Sequence, residues 1–493
     1  MKYLSTRDES GKGSVTAADA ILEGLAGDGG LYMPQLIPQL EKGELRELGT
    51  LPYAERAARI LKKFLPEYEE EALLSACCGA YAEDKFPGGA APLHRLNDQI
   101  HVLELWHGPT CAFKDMALQL MPRLLSEALK MTGEKRTALI LVATSGDTGK
   151  AALEGFRDVD GVKIMVFYPV DGVSKIQKLQ MMTQEGTNVN VCAIRGNFDD
   201  AQNGVKRIFS NTEARAALAA RGDFFSSANS INWGRLVPQI VYYISAYCDL
   251  VNSGAIAEGD AINVSVPTGN FGNIFAGYLA KEMGLPVKRF ICASNRNNIL
   301  TDFLDTGVYD RNRQFYTTMS PSMDILISSN LERLLYLKAG ASKTASYMRE
   351  LRETGKYRVE SDVQQSIARD ISGLYCGEEQ TEQTIRRTFD MYRYLCDTHT
   401  AVGLHCAEKY IKESGDSAKT LVVSTASPFK FAVDVCRALT GKRPEDEMTS
   451  LEELSAYTGV GAPIQLASLR EKAIRFAKVV ESDNMMEQVL RFA

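Results

Sequence analysis

Two hydrophobic periods alternate along this chain. Residues 14 to 88 carry apolar positions at helical spacing, as in Ala17–Leu25, Tyr53–Phe64 and Tyr68–Cys78, which predicts amphipathic helices. The cluster Gly27–Asp28–Gly29–Gly30 ends the first of them. From about His94 short apolar, β-rich runs begin to alternate with helical patterns: His101–Leu105, Ala138–Ala143, Lys163–Tyr168, Val189–Ile194, Ala261–Val266, Val287–Ala293 and Thr420–Ser424. Buried strands alternating with helices predict an α/β fold, a parallel sheet flanked by helices. Residues 328–415 revert to helix in Ser328–Leu337, Lys343–Thr354 and Glu382–Cys396. That block exceeds a single crossover, so it is expected to be an inserted helical layer. The expected division is a mainly helical N-terminal domain over 1–93, a central α/β region over 94–460 and a helical tail over 461–493. Within the central region a small subdomain spans about 125–225, a helical insertion about 328–415, and the large subdomain takes the remainder.

A chain of 493 residues exceeds one simple core. Its net charge of −6 argues against nucleic acid or an anionic membrane as the main partner, while leaving room for a small anionic substrate in a locally positive pocket. No stretch is apolar enough to span a bilayer, and Met1 to Arg7 lacks a signal pattern, so a cytoplasmic address is expected. The ten cysteines form no CxxC pair and are read as buried apolar fillers. Cys111 is included, since no histidine is placed in sequence to activate it. His94, His101, His107, His399 and His405 lack metal-ligand spacing.

The chemistry gathers at strand ends. After the run Asn263–Pro267 comes Thr268–Gly269–Asn270–Phe271–Gly272–Asn273, then a helical pattern from Ile274 to Met283. A glycine turn between strand and helix aims backbone N–H groups at one point and adds the positive end of a helix dipole, an arrangement suited to phosphate. It is neither a Walker A loop nor GxGxxG, and a plain tight turn is the alternative. Thr144–Ser145–Gly146–Asp147–Thr148–Gly149 repeats the pattern with the hydroxyls of Ser145 and Thr148, unless Asp147 or Thr148 merely caps the helix.

His107–Asp115 puts Lys114 near the head of an apolar helix, with Thr110 as its expected N-cap. The helix dipole and burial beside Phe113 and Met116 would lower the pKa of that amine, as imine chemistry requires; a solvated surface lysine is the alternative. A lysine and a phosphate cradle together suggest a phosphorylated aldehyde, pyridoxal 5'-phosphate (PLP). Ser424 and Thr425, at the carboxyl end of the run from Leu421, could offer a neutral hydroxyl to a pyridine nitrogen; an ordinary strand-to-helix cap by Ser427 is the alternative. Ser230–Ile231–Asn232–Trp233–Gly234–Arg235 supplies amide and guanidinium groups for an anion, or else a loop anchored by its tryptophan.

These segments together resemble the threonine synthase family, PLP enzymes of the tryptophan-synthase-β-like fold (fold type II). The likeness runs nearly end to end. It takes in Tyr3–Arg7, Gly24–Pro34, the Lys114 segment, Thr144–Gly149, Ser230–Arg235, Gly269–Asn273, Ser320–Ile325, Asp397–Gly403 and Ser424–Phe431. The resemblance implies large and small sheet domains, an N-terminal helical domain and inserted helices. It implies that Lys114 is the catalytic, cofactor-linked lysine, that Gly269, Asn270, Phe271, Gly272 and Asn273 hold the PLP phosphate, and that Thr425 faces the ring nitrogen. Ser145, Asp147, Thr148, Asn232 and Arg235 would bind substrate, with Arg235 preferred for a phosphate. Asp147 stands where cysteine synthases carry Asn, a difference this family shares, and Thr398 stands where a proline is expected before His399. The implied reaction is a β,γ-replacement converting O-phospho-L-homoserine and water to L-threonine and phosphate, in a monomer or homodimer without nucleic-acid or membrane partners. The alternatives are another fold type II PLP lyase acting on a phosphorylated or hydroxy amino acid, or a phosphate- or nucleotide-binding module; a nicotinamide dehydrogenase is weakened by the missing GxGxxG.

Overall fold

The computed structural model describes residues 1–171 and 173–493. Among them, strands form a six-stranded sheet with the spatial order Ile371–Tyr375, Val287–Ser294, Ile262–Pro267, Thr420–Ser424, Ile100–Glu104 and Leu93–Arg95. Neighbours run parallel except at the last pair. A five-stranded, all-parallel sheet has the order Val479–Glu481, Val189–Arg195, Val162–Pro169, Thr137–Ala143 and Asp223–Ser226. The seven predicted strands are all present. Their inner residues are buried on both faces, so each reads as a continuous apolar run.

Strand order, not sequence order, assembles the site. Thr420–Ser424 pairs residue by residue with Ile100–Glu104 on one side, and its first three residues pair with Asn263–Ser265 on the other. The segments leaving Glu104, Pro267 and Ser424 therefore emerge at one edge, where open α/β sheets place their ligands. In the second sheet Ala143 leads directly into the helix Asp147–Phe156. That helix lies against the Lys114 segment with its backbone almost in contact. A Cβ on Gly155 would collide with the Leu118 carbonyl oxygen.

Two expectations are corrected. The tail after 460 is not simply helical. Val479–Glu481 adds a parallel edge strand beside Ala193–Arg195 before the helix Met485–Phe492 closes over the sheet. The block 328–415 is not purely helical either. Ile371–Tyr375 is the edge strand beside Val287–Ser294, and Lys356–Arg358 pairs with Val308–Asp310. These strands are three to five residues long and lie at sheet edges, so a partner strand rather than their own periodicity selects them.

The N-terminal segment combines a two-stranded ribbon, Tyr3–Ser5 with Tyr32–Pro34, and four helices. Its apolar residues, among them Tyr3, Ile60 and Phe64, share one continuous cluster with Trp233 and Tyr243. The Tyr3 hydroxyl donates to the Phe64 carbonyl at 2.7 Å. Among the described residues no helix is long and apolar enough to cross a membrane.

Met485 (1% exposed) packs into the cluster that holds Leu139, Ile208 and Leu218. Met485→Ala is expected to cost about 2–5 kcal/mol. A lowered urea midpoint with an unchanged slope checks it.

Candidate active site

The strand ends of both sheets face a cleft of about 2040 Å³. Of the residues singled out above, Lys114, Ser145, Asp147, Thr148, Arg235, the loop Gly269–Asn273 and Thr425 line it; Asn232 does not.

Lys114 comes to the cleft on a turn, not on the helix expected. The Thr110 N–H and Oγ1 both donate to the Asp115 carboxylate at 2.8 Å, so Thr110 caps nothing. The helix is only Asp115–Leu118, with Lys114 just before it. The segment is sewn to the strand end carrying Thr425: the Phe113 N–H donates to the Thr425 carbonyl at 2.8 Å, and the Ser427 N–H donates to the Cys111 carbonyl at 3.0 Å. Burial lowers the pKa of the Lys114 amine, and the charges of Lys430 and Arg235 add to this, while Asp147 at 3.4 Å opposes it. Cys111 is buried, and its thiol is pushed up to about 12, so it is a filler and not a nucleophile.

Asp147 does not cap its helix. Its carboxylate accepts from Lys430 Nζ at 2.6 Å, Gln177 Nε2 at 2.8 Å, Lys114 Nζ at 3.4 Å and Ser322 Oγ at 3.5 Å. Burial alone would raise its pKa, but Lys430 and Lys114 outweigh that and hold it far below the usual carboxylate range. The loop's own amides are served by Thr144, whose Oγ1 accepts from the Gly146 N–H at 3.0 Å and the Gly149 N–H at 2.9 Å. Lys430 and Gln177 escaped the sequence reading. The available signal for Lys430 was a lone lysine inside the otherwise apolar Pro428–Phe431.

The Thr268–Gly272 loop is built to present donors. Ser328 Oγ donates to the Gly269 carbonyl at 2.7 Å, and the Asn330 N–H and Nδ2 both donate to the Asn270 carbonyl at 3.0 Å. With the carbonyls so engaged, and Phe271 at φ 62°, the N–H groups from Gly269 to Gly272 make no backbone hydrogen bond outside the helix among the described residues. Asn273 Oδ1 accepts from the Tyr242 and Tyr243 hydroxyls at 2.5 and 2.6 Å, which fixes the amide and leaves its buried Nδ2 without a partner among the described residues. A Cβ on Gly269 would stand 2.8 Å from the Ser322 carbonyl. Convergent donors, an unpaired buried amide and a wall with no room for a side chain fit a phosphate group.

Arg235 is buried (5% exposed). It donates to the Ala228 carbonyl at 3.0 Å and lies 3.5 Å from Thr148 Oγ1. Burial lowers its pKa to about 10, which leaves it cationic at neutral pH. Asn232 is a correction. Its Nδ2 donates to the Ile21 and Ser227 carbonyls at 2.9 Å and its Oδ1 accepts from the Gly234 N–H at 2.8 Å, so its amide is spent in tying the N-terminal helix to the Trp233–Leu236 turn. Ser424 Oγ accepts from Trp106 Nε1 at 2.9 Å and pairs with Thr400 Oγ1 at 2.9 Å, which leaves the next residue, Thr425, to offer a hydroxyl to the cleft. Ser427 caps the following turn, as expected. His399 also lines the cleft; its Nε2 accepts from the Ser322 N–H at 3.2 Å and its Nδ1 faces Asp397 at 2.7 Å. Thr398 needs no proline before His399, because Asp397 caps this helix by accepting from the His399 and Thr400 N–H groups.

Residues 87–426 match the family model of pyridoxal-phosphate dependent enzymes, the class that this fold and this lysine–phosphate cleft define. Residues 2–81 match the model for the threonine synthase N terminus and residues 400–489 that for the threonine synthase C-terminal region. The chain belongs to the threonine synthase family. It is 40% identical over 450 residues to the threonine synthase of Pseudomonas aeruginosa, covering 90% of this chain and 92% of that one. It is 38% identical over 479 residues to threonine synthase-like 1 of Pongo abelii, covering 93% of this chain but 63% of that protein, so it spans less than two thirds of that relative. The crystal structure of PLP-bound threonine synthase from Brucella melitensis superposes with a TM-score of 0.88 at 37% identity, covering 100% of this chain and 99% of that one.

Gly269→Ala is expected to raise the dissociation constant for PLP about tenfold or more, on the order of 1.4 kcal/mol. Titration of the chain with PLP, followed by absorbance, checks it.

Proposed function

We propose that this protein is a threonine synthase, converting O-phospho-L-homoserine and water to L-threonine and inorganic phosphate. The observation that carries the reading is a second anion site in the same cleft as Lys114 and the phosphate loop: a buried Arg235 guanidinium beside Thr148, with no carboxylate partner among the described residues. A substrate bearing both a carboxylate and a phosphate answers that pair of sites. The family membership and the named relatives support it.

The residues present fit PLP, with Lys114 at its aldehyde, the Gly269–Asn273 loop at its phosphate and Thr425 at its ring nitrogen. When bound, PLP supplies an electron sink that acidifies the carbon-bound protons of the amino acid joined to it. Lys114 would hold the aldehyde, and its Nζ would take the α-proton of the bound substrate. Its lowered pKa favours the neutral amine that this needs. Asp147, 3.4 Å away, is the nearest anion to that amine, and its closer partner is Lys430 at 2.6 Å. The Ser145 hydroxyl and the N-terminus of the helix Asp147–Phe156 receive the α-carboxylate. Arg235 and Thr148 hold the phosphate and offset its charge as the γ-carbon–oxygen bond breaks. The β-carbon also loses a proton and the γ-carbon gains one; water then bonds its hydroxyl to the β-carbon and gives up its proton, the departing phosphate takes one proton, and the α-proton returns from Lys114 Nζ to give threonine. A neutral hydroxyl from Thr425 leaves the ring nitrogen unprotonated, which restrains transamination. The same proposal takes the enzyme as a cytoplasmic monomer or homodimer, with sedimentation and cell fractionation as the checks.

Incubation of the PLP-loaded protein with O-phospho-L-homoserine is expected to yield phosphate and threonine in equal amounts, and Lys114→Ala, still folded, neither. Phosphate released with a keto acid would make it a different lyase. Arg235→Ala is expected to raise KM for the phosphorylated substrate by about 10- to 100-fold, the scale of one lost charged hydrogen bond. The PLP dissociation constant should change far less, and equal losses would make Arg235 structural.

A further inference from the structure

One buried cation beside the cleft has no part in the steps above. Lys430 lies outside the cleft lining, its side chain 0% exposed. Its Nζ donates to Asp147 Oδ1 at 2.6 Å and to the Thr110 carbonyl at 3.0 Å. Lys114, whose side chain is 10% exposed, reaches the other oxygen of the same carboxylate at 3.4 Å. Two lysines share one carboxylate, and the closer of them is the one that cannot meet a ligand.

We propose that Lys430 is a positioning residue: by engaging Asp147 it prevents that carboxylate from holding Lys114 as an ammonium, and so leaves Lys114 as a free amine for the cofactor. The proposal rests on the reading of Lys114 as the cofactor-linked lysine. Asp147 and Lys430 form a neutral pair before Lys114 is counted. A protonated Lys114 would then be an extra positive charge in a buried pocket that also holds Arg235, an arrangement that is costly unless paired. Without Lys430, Asp147 would be an uncompensated buried anion, and Lys114 the nearest cation to satisfy it. Among the other groups packed around the pair, Asp115, on the helix that follows Lys114, adds a second buried carboxylate, whose oxygens accept from Thr110 and whose pKa burial raises to about 6. Gln177 and Ser322, which also reach Asp147, are uncharged. His399, beyond Ser322, faces Asp397. The Cys111 thiol is neutral.

The test is trace acetylation of the full-length chain, dialysed free of cofactor, with acetic anhydride between pH 6 and 10. Modification of Lys114 is read by peptide mass spectrometry against an exposed lysine. Lys430→Met is expected to raise the pH midpoint of Lys114 labelling by about one unit or more, so that labelling below the midpoint falls about tenfold. Adding Asp147→Asn to Lys430→Met is expected to bring the midpoint back to the wild-type value or below, a rescue that a purely structural role of Lys430 would not produce. If Lys430→Met does not fold, Lys430→Gln, which retains a donor for the Thr110 carbonyl, carries the same expectation. An unchanged midpoint in a folded variant, or a raised one that Asp147→Asn fails to reverse, overturns the proposal. Added PLP should protect Lys114 in the wild type. A midpoint that moves without such protection leaves the Lys430 coupling standing and removes the cofactor reading instead.

Discussion

The parallel pairing of Thr420–Ser424 with both Ile100–Glu104 and Ile262–Pro267 is the constraint on which the site depends. Each strand ends at the same edge, so the amine-bearing turn, the phosphate loop and the Thr425 hydroxyl come together although they lie far apart in sequence. A register slip of one residue would exchange the side chains packed on the two faces of the sheet, Leu421 and Val423 on one and Val422 on the other, and dissolve the arrangement. The direct bonds from Phe113 to Thr425 and from Ser427 to Cys111 then fix the Lys114 turn to its neighbouring strand end.

The cleft of this negatively charged protein is lined by side chains of both signs, Asp147 and Asp324 among the acids. Lys114 and Arg235 face it, and the Gly269–Gly272 amides add donors. Lys430, buried outside the cleft lining, is paired with Asp147. Buried polar groups around the cleft are for the most part satisfied within the protein. The Gly269 and Asn270 carbonyls by Ser328 and Asn330, the Asn273 carbonyl oxygen by two tyrosines, and Ser424 by Trp106 are examples. The groups left over, such as Asn273 Nδ2, are the ones available to a ligand. Low dielectric makes each such donor worth more than it would be in water, and makes its orientation matter more.

The N-terminal segment is part of the site's wall, not an appendage. Asn232 holds the carbonyl of Ile21, and Gly24 is pressed so close to Asn232 that a Cβ there would stand 2.9 Å from its amide nitrogen. The fully buried Arg333 guanidinium donates to the Tyr32 and Ile231 carbonyls, joining ribbon, turn and helix. One apolar cluster runs through all of them. The change of hydrophobic pattern near residue 93 therefore marks a change of secondary structure, while the apolar cluster continues across it.

The long strands, the helix Tyr53–Phe64 and the glycine turn at Gly269–Gly272 were legible in the amino-acid order, because each carries a local pattern: a continuous apolar run, a helical period, or glycines before a helix. The edge strands Ile371–Tyr375 and Val479–Glu481 were not, since short exposed strands exist only through their neighbours. Asn232 looked like a ligand because a polar residue beside Arg235 gives no sign of which carbonyls it will meet. Lys430 went unread for the opposite reason: nothing local says that a lysine among phenylalanines will find a buried carboxylate. Sequence alone determined which elements form and which residue types are at hand. Only the tertiary structure decided which charges meet, because pairing and burial depend on distances across the fold that no local pattern encodes.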